Sequence, residues 1–288
     1  MFEIENLDIV ITRNCQLACR GCLVFSDHAQ VKGHLNPHDW VSEISWWASK
    51  LKPKTIHLFG GEPLMNPWIE DWIRLVALKF KRSINIQTNG ILIPKLAHGV
   101  LKNLINRKVR ISISKHSNDP EYLAKIEESI SILRSAIDYR GENKISDTET
   151  VYHGTSSFSV VDWTRRPWVA HYDGWGDKIK PGNAWDSDKF TKSHYNCEAK
   201  TYIQLYKGSL WKCPTMAVLG ESLEQIGANL ENWKPWLDYK PLTIDSDDDT
   251  IQSWLEAQRK PERVCNMCFG EPRPIEQHFT KIKEIKNV

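Results

Sequence analysis

The first half of the chain alternates short apolar segments with amphipathic ones, and this alternation limits the possible folds more than any other feature. Apolar runs typical of buried strands lie at 4–12, 55–59, 83–87, 110–114 and 158–161. Apolar residues at helical spacing fill 37–51, 68–80, 94–106 and 120–138. Strands separated by helices of this length predict βαβ units and a parallel sheet. Because five or six units are too few for a closed eight-stranded barrel, we predict an α/β fold built as a partial (β/α)6 barrel.

Three polar motifs each follow one of these predicted strands. A cysteine group at 15–22 follows the first strand, Gly-Gly-Glu-Pro at 60–63 follows the second, and Thr-Asn-Gly at 88–90 follows the third. The carboxyl ends of parallel strands meet at one edge of a sheet, where ligands of such folds bind. We therefore expect the three motifs to form a single functional site.

The seven cysteines fall into a group of three and a group of four. They are Cys15, Cys19, Cys22, Cys197, Cys213, Cys265 and Cys268. An odd number excludes complete disulfide pairing within one chain, and grouped cysteines in a reducing compartment indicate metal or redox chemistry. The first three can hold three corners of an iron–sulfur cubane, which leaves one iron open to a ligand from outside the protein. The alternative is a structural zinc site completed by His28 or His34.

The four later cysteines supply a complete set of ligands. Four thiolates close the coordination of either a tetrahedral zinc ion or a 4Fe–4S cluster, so this second site is not expected to bind substrate directly. Short strand and turn signals surround these cysteines. We predict a small C-terminal α+β domain there.

Composition and charge exclude several classes of protein. The 288 residues carry 38 basic and 36 acidic side chains, a formal net charge of +2, which disfavours a nucleic-acid partner. No apolar run approaches the roughly 20 residues of a membrane span. The N-terminus lacks the basic region of a signal peptide, so we expect a cytoplasmic protein without a membrane partner.

The first cysteine group resembles a known family. The segment CQLACRGC at 15–22 is similar to the CxxxCxxC motif of radical S-adenosylmethionine (radical SAM) enzymes. The resemblance implies that Cys15, Cys19 and Cys22 hold a 4Fe–4S cluster whose open iron binds SAM. It also implies that one electron splits SAM into methionine and a 5′-deoxyadenosyl radical, which abstracts a hydrogen from the substrate.

The other motifs extend this resemblance to SAM-binding residues. Gly60, Gly61, Glu62 and Pro63 look like the GGEP motif of the family, which implies that Glu62 accepts a hydrogen bond from the SAM amino group. Further contacts implied by position involve Asn89, Ser112 and Ser114. The family often has an aromatic residue before the third cysteine. Gly21 stands there in this chain, which leaves Phe25 or Leu23 to pack against the adenine.

The spacing of the later cysteines resembles the twitch domain, a shortened SPASM domain with one auxiliary 4Fe–4S cluster. We accordingly expect a radical SAM core at 1–165, a tryptophan-rich connector at 166–196 and a twitch-like domain with the C-terminal tail at 197–288. The aromatic residues of the connector either form a lid over the substrate or pack the domain interface. They are Trp168, His171, Tyr172, Trp175, Trp185 and Tyr195, together with Trp163 just before the connector. Arg165 and Arg166 are candidates for binding a carboxylate or phosphate.

These features predict an enzyme that cleaves SAM reductively and abstracts hydrogen from an unidentified small-molecule or peptide substrate. A reductant such as flavodoxin or ferredoxin is the expected electron donor, and the auxiliary cluster is expected to aid electron transfer. The chain has no room for a peptide-recognition domain before its first strand, which favours a small-molecule oxidation over peptide maturation. The alternative from another class is a noncatalytic iron–sulfur or zinc module that binds a partner.

Overall fold

The computed structural model describes residues 1–165 and 170–271. The strands are β1 (Phe2–Thr12), β2 (Leu51–Gly60), β3 (Ile84–Thr88), β4 (Arg110–Lys115), β5 (Gly141–Ser146), β6 (Glu149–His153), β7 (Ser157–Asp162), β8 (Tyr202–Tyr206) and β9 (Ser209–Trp211). The helices are α1 (Val41–Lys50), α2 (Ile69–Phe80), α3 (His98–Asn106), α4 (Pro120–Ala136), α5 (Phe190–Tyr195), α6 (Pro214–Ile226), α7 (Lys234–Leu237) and α8 (Asp248–Gln258). None of the described helices is both long and apolar enough to cross a bilayer.

All nine described strands join one sheet in the order β5-β6-β7-β4-β3-β2-β1-β8-β9. The six central strands, from β7 to β8, are parallel to their neighbours. Antiparallel pairs add β6 and β5 at one edge and β9 at the other. The predicted α/β fold with a mainly parallel sheet is therefore confirmed, and it is compatible with a partial barrel.

The sixth parallel strand comes from an unexpected part of the chain. Strand β8 pairs with β1, with Asp8 opposite Gln204, so the sheet continues from the predicted core into the predicted C-terminal domain. The boundaries at 165 and 196 stay predictions, but the segments on either side of them share one sheet. As a consequence, Cys197 and Cys213 of the second group flank strands of the same sheet whose strand β1 leads into the first group.

Alternating side chains give the sheet two different faces. On β1 and β2, for example, Leu7, Ile9, Ile56 and Leu58 are buried against the helices. Helix α2 packs an apolar face into the same core. Its buried residues at helical spacing are Ile69, Trp72, Ile73, Val76 and Phe80. The opposite face carries polar residues along the middle of the sheet.

A second apolar cluster joins the loops above the strands to the C-terminal elements. It includes Phe25, Tyr172, Met216, Trp233 and Trp236. Connector residues take part unequally: Trp185 packs edge-on against Trp236 with ring centroids 5.1 Å apart, whereas Trp175 is 49% exposed. Trp168 and Arg166 lie outside the described residues. The connector is thus anchored by some of its aromatic side chains and exposes others.

The hairpin formed by β5 and β6 was not predicted from the sequence. Strand β5 reads Gly-Glu-Asn-Lys-Ile-Ser, and its residues are almost all exposed. An edge strand that covers no core does not need the apolar alternation by which strands are recognised. The hairpin extends the sheet away from the cysteine groups.

The end of β2 lies against the loop that follows β1, and two glycines make this approach possible. The amide of Gly61 donates to Thr12 O at 2.9 Å, and that of Glu62 donates to Asn14 O at 2.7 Å. A Cβ atom on Gly60 would lie 2.0 Å from Thr12 O, and one on Gly61 would lie 2.3 Å from Asn14 O. No side chain fits at either position, so the glycines hold the cysteine loop against the sheet.

We predict that Gly61→Ala lowers the free energy of unfolding by about 2 kcal/mol or more, because the added methyl group meets rigid backbone. Gly99→Ala in α3 is the matched control, since nothing lies within 4 Å of its Cβ position. That change should be neutral or stabilise by up to about 1 kcal/mol. Urea denaturation followed by circular dichroism measures both. Equal stabilities for the two variants would contradict this account of the glycines.

Candidate active site and a second cysteine site

The loop carrying the first three cysteines is closed at its base by hydrogen bonds. Arg13 N donates to Gly33 O at 2.8 Å, and Ser26 Oγ donates to Arg13 O at 2.7 Å. The loop between these contacts therefore emerges from the carboxyl end of β1 with fixed ends. Cys15, Cys19 and Cys22 all lie on it, as the sequence predicts.

Asn89 joins this loop to the end of β3. Its Nδ2 lies 3.6 Å from Cys15 Sγ, while its Oδ1 accepts from Gln16 Nε2 at 2.8 Å. The backbone N–H of Leu17 also points at Cys15 Sγ, at 3.4 Å. Donors aimed at a sulfur stabilise a thiolate, which is the form that ligates iron. Asn89 thus contacts a predicted cluster ligand; a direct contact between Asn89 and SAM stays a prediction.

Glu62 is fully buried and ties the ends of β2 and β3 together. Its Oε1 accepts from Thr88 Oγ1 at 2.8 Å and Leu64 N at 3.0 Å, and its Oε2 accepts from Asn89 N at 2.8 Å. Burial raises the pKa of Glu62 to about 7, even though these three donors favour the ionised form. A rigid carboxyl group therefore lies between the GGEP and TNG motifs. Its predicted contact with the SAM amino group remains a prediction.

The remaining predicted SAM contacts lie at different depths. Pro63 is buried at the start of the turn that Glu62 caps. Ser114 is at the strand end, where its carbonyl oxygen accepts from Tyr122 Oη at 3.0 Å. Ser112 lies deeper, and its hydroxyl group bonds Asn85 Oδ1 at 3.0 Å and Ser159 Oγ at 2.8 Å. SAM binding by the two serines stays a prediction.

Ser112 belongs to a polar row that crosses the six parallel strands on the face opposite the helices. The row consists of Gln204, Asp8, His57, Asn85, Ser112 and Ser159. Asp8, next to one end of the row, accepts from Gln204 Nε2 at 3.0 Å and bonds His57 Nδ1 at 2.7 Å. Within the described residues, Gln204 Oε1 is buried with no hydrogen-bond donor. A carboxylate, an imidazole, amides and hydroxyls thus lie beneath the motifs at the strand ends.

The two histidines considered as zinc ligands both have other partners. His34 contacts Thr12 Oγ1 through Nδ1 and Asn14 Nδ2 through Nε2, each at 2.8 Å. His28 contacts Asp27 Oδ1 at 3.0 Å through Nδ1, and its Nε2 accepts from Gly176 N at 3.1 Å. Both ring nitrogens of each histidine are therefore occupied. This arrangement favours three cysteines with an external ligand over a zinc site completed by histidine.

Asp27 is a functional candidate that the sequence did not reveal. It is buried on the cysteine loop, where its Oδ2 accepts from Gly21 N at 3.1 Å and from Tyr172 Oη at 2.7 Å. Tyr172 also stacks on Phe25 with ring centroids 4.7 Å apart. The ring of Phe25, considered for the SAM adenine, is fully buried and contacts the connector instead. A short acidic residue near a cysteine motif carries no sequence signal for such a role.

The four later cysteines line one cavity, which is partly open to solvent. Burial raises the pKa of Cys197 to about 11 and that of Cys213 to about 12, and repulsion between neighbouring thiolates adds to the effect. Without a cation such thiols stay protonated, so metal binding would release protons. The four thiols surround the cavity. Among the described residues, no three His, Cys, Asp or Glu side chains form a group that could hold a single metal ion. The donor set and its enclosure fit a four-thiolate cluster.

A buried lysine supplies positive charge at this second site. Lys212 lines the cavity and is 5% exposed. Its Nζ donates to Gln258 O and Lys260 O, each at 3.0 Å, and pairs with the Glu262 carboxylate. A fixed ammonium group beside several thiolates offsets part of their charge. The residue directly precedes Cys213, yet its burial could not be read from the sequence.

His171 also reaches the second site, from the connector. Its Nδ1 lies 3.1 Å from Cys268 Sγ. Burial lowers the pKa of His171 to about 4, so the imidazole is neutral near pH 7. The sequence predicts for His171 only the role shared by the aromatic residues of the connector, and no contact with a cysteine.

Glu62 gives a prediction for the dependence of stability on pH. A carboxyl group with a pKa of about 7 when folded and 4.5 when unfolded binds more protons in the folded state between these values. Its contribution to the free energy of unfolding is therefore greatest below pH 4.5 and falls as pH rises to about 7. We expect Glu62→Gln to remove this part of the pH dependence, measured by urea denaturation at several pH values without SAM. The exposed Glu3→Gln is the control, and identical pH profiles for wild type and Glu62→Gln would refute the assignment.

Comparison with curated proteins finds relatives over part of the chain. The chain is 29% identical over 142 residues to a probable GTP 3′,8-cyclase of Methanocaldococcus jannaschii, covering 47% of this chain and 46% of that protein. It is 31% identical over 120 residues to the GTP 3′,8-cyclase of Moorella thermoacetica, covering 41% and 36%. Each match therefore spans less than half of the relative.

Among solved structures, BtrN in complex with AdoMet and 2-DOIA is similar to nearly the whole chain. The match covers 94% of this chain and 97% of BtrN, with a TM-score of 0.51 and 13% sequence identity. At this identity the likeness concerns the fold alone.

A protein-family model matches the part of the chain that carries the cysteine loop and the strand-end motifs. The family model of the Radical SAM superfamily matches residues 9–157, just over half of the chain. This segment contains the CxxxCxxC loop, the GGEP and TNG motifs and the strands that bring them together. The chain belongs to the radical SAM superfamily.

Proposed function

We propose that this protein cleaves SAM reductively, abstracts a hydrogen from a small polar molecule with hydroxyl or amino groups, and holds an auxiliary 4Fe–4S cluster. The observation that carries the proposal is the division of the seven cysteines between two places in the fold. Three lie on the loop at the carboxyl end of β1, and four surround a separate cavity. The incomplete set leaves a position for SAM, and the complete set does not.

The residues around the first site prepare it for the reaction. When a cluster and SAM are bound there, they supply the 5′-deoxyadenosyl radical. Asn89 and the Leu17 amide hold Cys15, while Glu62 fixes the neighbouring strand ends. Because the site is assembled from three strand ends, its geometry does not depend on a flexible segment, which favours exact positioning of the hydrogen to be abstracted.

The polar row supports a small, hydroxylated or aminated substrate. Its hydroxyl, amide and imidazole groups are those that bind hydroxyl and amine groups. The Asp8 carboxylate in this row would repel a polyphosphate at short range. The relatives named GTP 3′,8-cyclase match only the radical SAM segment, so their substrate does not follow for this chain.

The second cysteine site supports an oxidation as the net reaction. An iron–sulfur cluster beside the active-site loop would supply a one-electron acceptor for the substrate. Lys212 would offset the negative charge of the thiolates there. Electrons for SAM cleavage would come from a partner such as flavodoxin or ferredoxin.

We predict that the anaerobically reconstituted protein contains about eight irons per chain, because both sites hold 4Fe–4S clusters. Cys213→Ala should lower the content to about four irons and leave the first site loaded. Metal analysis measures iron and zinc in both proteins. About four irons with one zinc in the wild type would contradict the auxiliary cluster while leaving the first site intact.

We predict that the reconstituted protein forms 5′-deoxyadenosine from SAM and dithionite, and that Cys15→Ala abolishes this product. Chromatography of the anaerobic reaction quantifies it. Absence of 5′-deoxyadenosine from the wild type beyond the Cys15→Ala level would refute the enzymatic function.

The same assay tests the substrate class. Polyols and amino polyols should raise the yield of 5′-deoxyadenosine more than GTP does, and Asp8→Asn should reduce this stimulation. The control is Glu3→Gln, which removes an exposed carboxylate from the same strand. Stimulation by GTP alone would overturn the proposed substrate class.

A further inference from the structure

We propose that the adjacent residues His171 and Tyr172 are positioning residues that set the reduction potentials of the two cysteine sites. The inference rests on the proposed auxiliary cluster. It assigns a role to the connector that goes beyond packing or covering a substrate. Two neighbouring side chains on one backbone segment each contact a different cysteine site.

His171 contacts the second site through the sulfur atom of a cysteine. Its Nδ1 is 3.1 Å from Cys268 Sγ. A cysteine that ligates iron is a thiolate and can only accept, so the imidazole Nδ1–H must donate this hydrogen bond. The other bonds of Cys268 involve its backbone: the carbonyl oxygen accepts from Asn183 Nδ2 at 2.6 Å and Ser193 Oγ at 3.0 Å, and the N–H donates to Cys265 O at 3.2 Å. His171 therefore differs from these neighbours in acting on the ligating atom.

Tyr172 contacts the first site through Asp27. Its hydroxyl donates to Asp27 Oδ2 at 2.7 Å, and the same oxygen accepts from Gly21 N at 3.1 Å. Gly21 directly precedes Cys22. On the other oxygen, His28 Nδ1–H donates to Asp27 Oδ1, because His28 Nε2 already accepts from Gly176 N. Tyr172 thus completes a set of three donors that hold a buried negative charge beside the cysteine loop.

The backbone around the two residues is fixed at both sites. Phe269 N donates to Ala170 O at 3.0 Å, which pairs the connector with the chain just after Cys268. Gly182 N donates to Met267 O at 2.7 Å, a second connection to the same segment. On the other side, Tyr172 stacks on Phe25 of the cysteine loop. These contacts hold the backbone that carries His171 and the ring of Tyr172 in place.

Hydrogen bonds to ligating sulfur atoms are a main determinant of cluster potential, because they stabilise the reduced, more negative state. The N–H of His171 should therefore raise the potential of the auxiliary cluster. Donors to Asp27 reduce the field that its carboxylate exerts on the first cluster. Removing the Tyr172 hydroxyl should therefore lower the potential of that cluster.

The test measures the potentials of the holoprotein by redox titration followed by electron paramagnetic resonance. His171→Phe removes the donor and keeps a ring, whereas His171→Asn keeps an N–H near the position of Nδ1. The auxiliary cluster is measured alone in a Cys15/Cys19/Cys22→Ala background. The first cluster is identified by the change that SAM causes in its signal. Tyr172→Phe is compared with Tyr206→Phe, which removes from the same apolar cluster a tyrosine hydroxyl that donates to Glu221 and not to Asp27.

We expect His171→Phe to shift the auxiliary potential to a more negative value and His171→Asn to restore most of the shift. Tyr172→Phe should lower the potential of the first cluster only, and Tyr206→Phe should change neither. About eight irons with an unchanged potential in His171→Phe would overturn this inference and leave the proposed function standing. About four irons and one zinc in the wild type would overturn the auxiliary cluster and this inference together. If both His171 variants lose the auxiliary iron, a donor role for His171 is refuted.

Discussion

The contact between the end of β2 and the loop after β1 is the constraint on which the rest of the site depends. Two backbone amides of the GGEP motif donate to carbonyl groups of Thr12 and Asn14, at a separation that only glycine permits. This contact places Glu62 where its carboxyl group reaches the end of β3, and Asn89, directly after β3, then reaches back to Cys15. Three strand ends are thereby locked into one rigid support for the cysteine loop.

Buried charge is the second organising constraint. Thiolates at two sites, together with Asp27 and Asp8, lie in surroundings with little water. The structure meets each with hydrogen-bond donors or a fixed cation: Lys212 at the second site, three donors around Asp27, and His57 with Gln204 at Asp8. Buried anions without such partners would destabilise the fold. The same partners give the site the means to tune its chemistry.

Much of the parallel core was predictable, because its strands and helices are each long enough to show a period. Asn36, for example, caps the turn before α1 by accepting from His38 N at 3.1 Å, and an asparagine directly before a proline is a typical start of a helix. The β5–β6 hairpin and the place of β8 beside β1 were not predictable. An exposed hairpin has no apolar pattern, and pairing between β1 and β8 joins residues almost two hundred positions apart. The local sequence pattern does not indicate which distant strands will pair.

By itself, the sequence determined the parallel α/β core, the meeting of the three motifs at one sheet edge, and the division of the cysteines into three and four. These follow from periodicity and spacing, which act over short stretches of chain. Only the tertiary structure decided what surrounds each group. The bonds of Glu62, the polar row beneath the motifs, the burial of Lys212 and the reach of His171 and Tyr172 to different sites all join distant segments. Such contacts depend on packing in three dimensions, because no local pattern encodes which distant side chain will fill a given space.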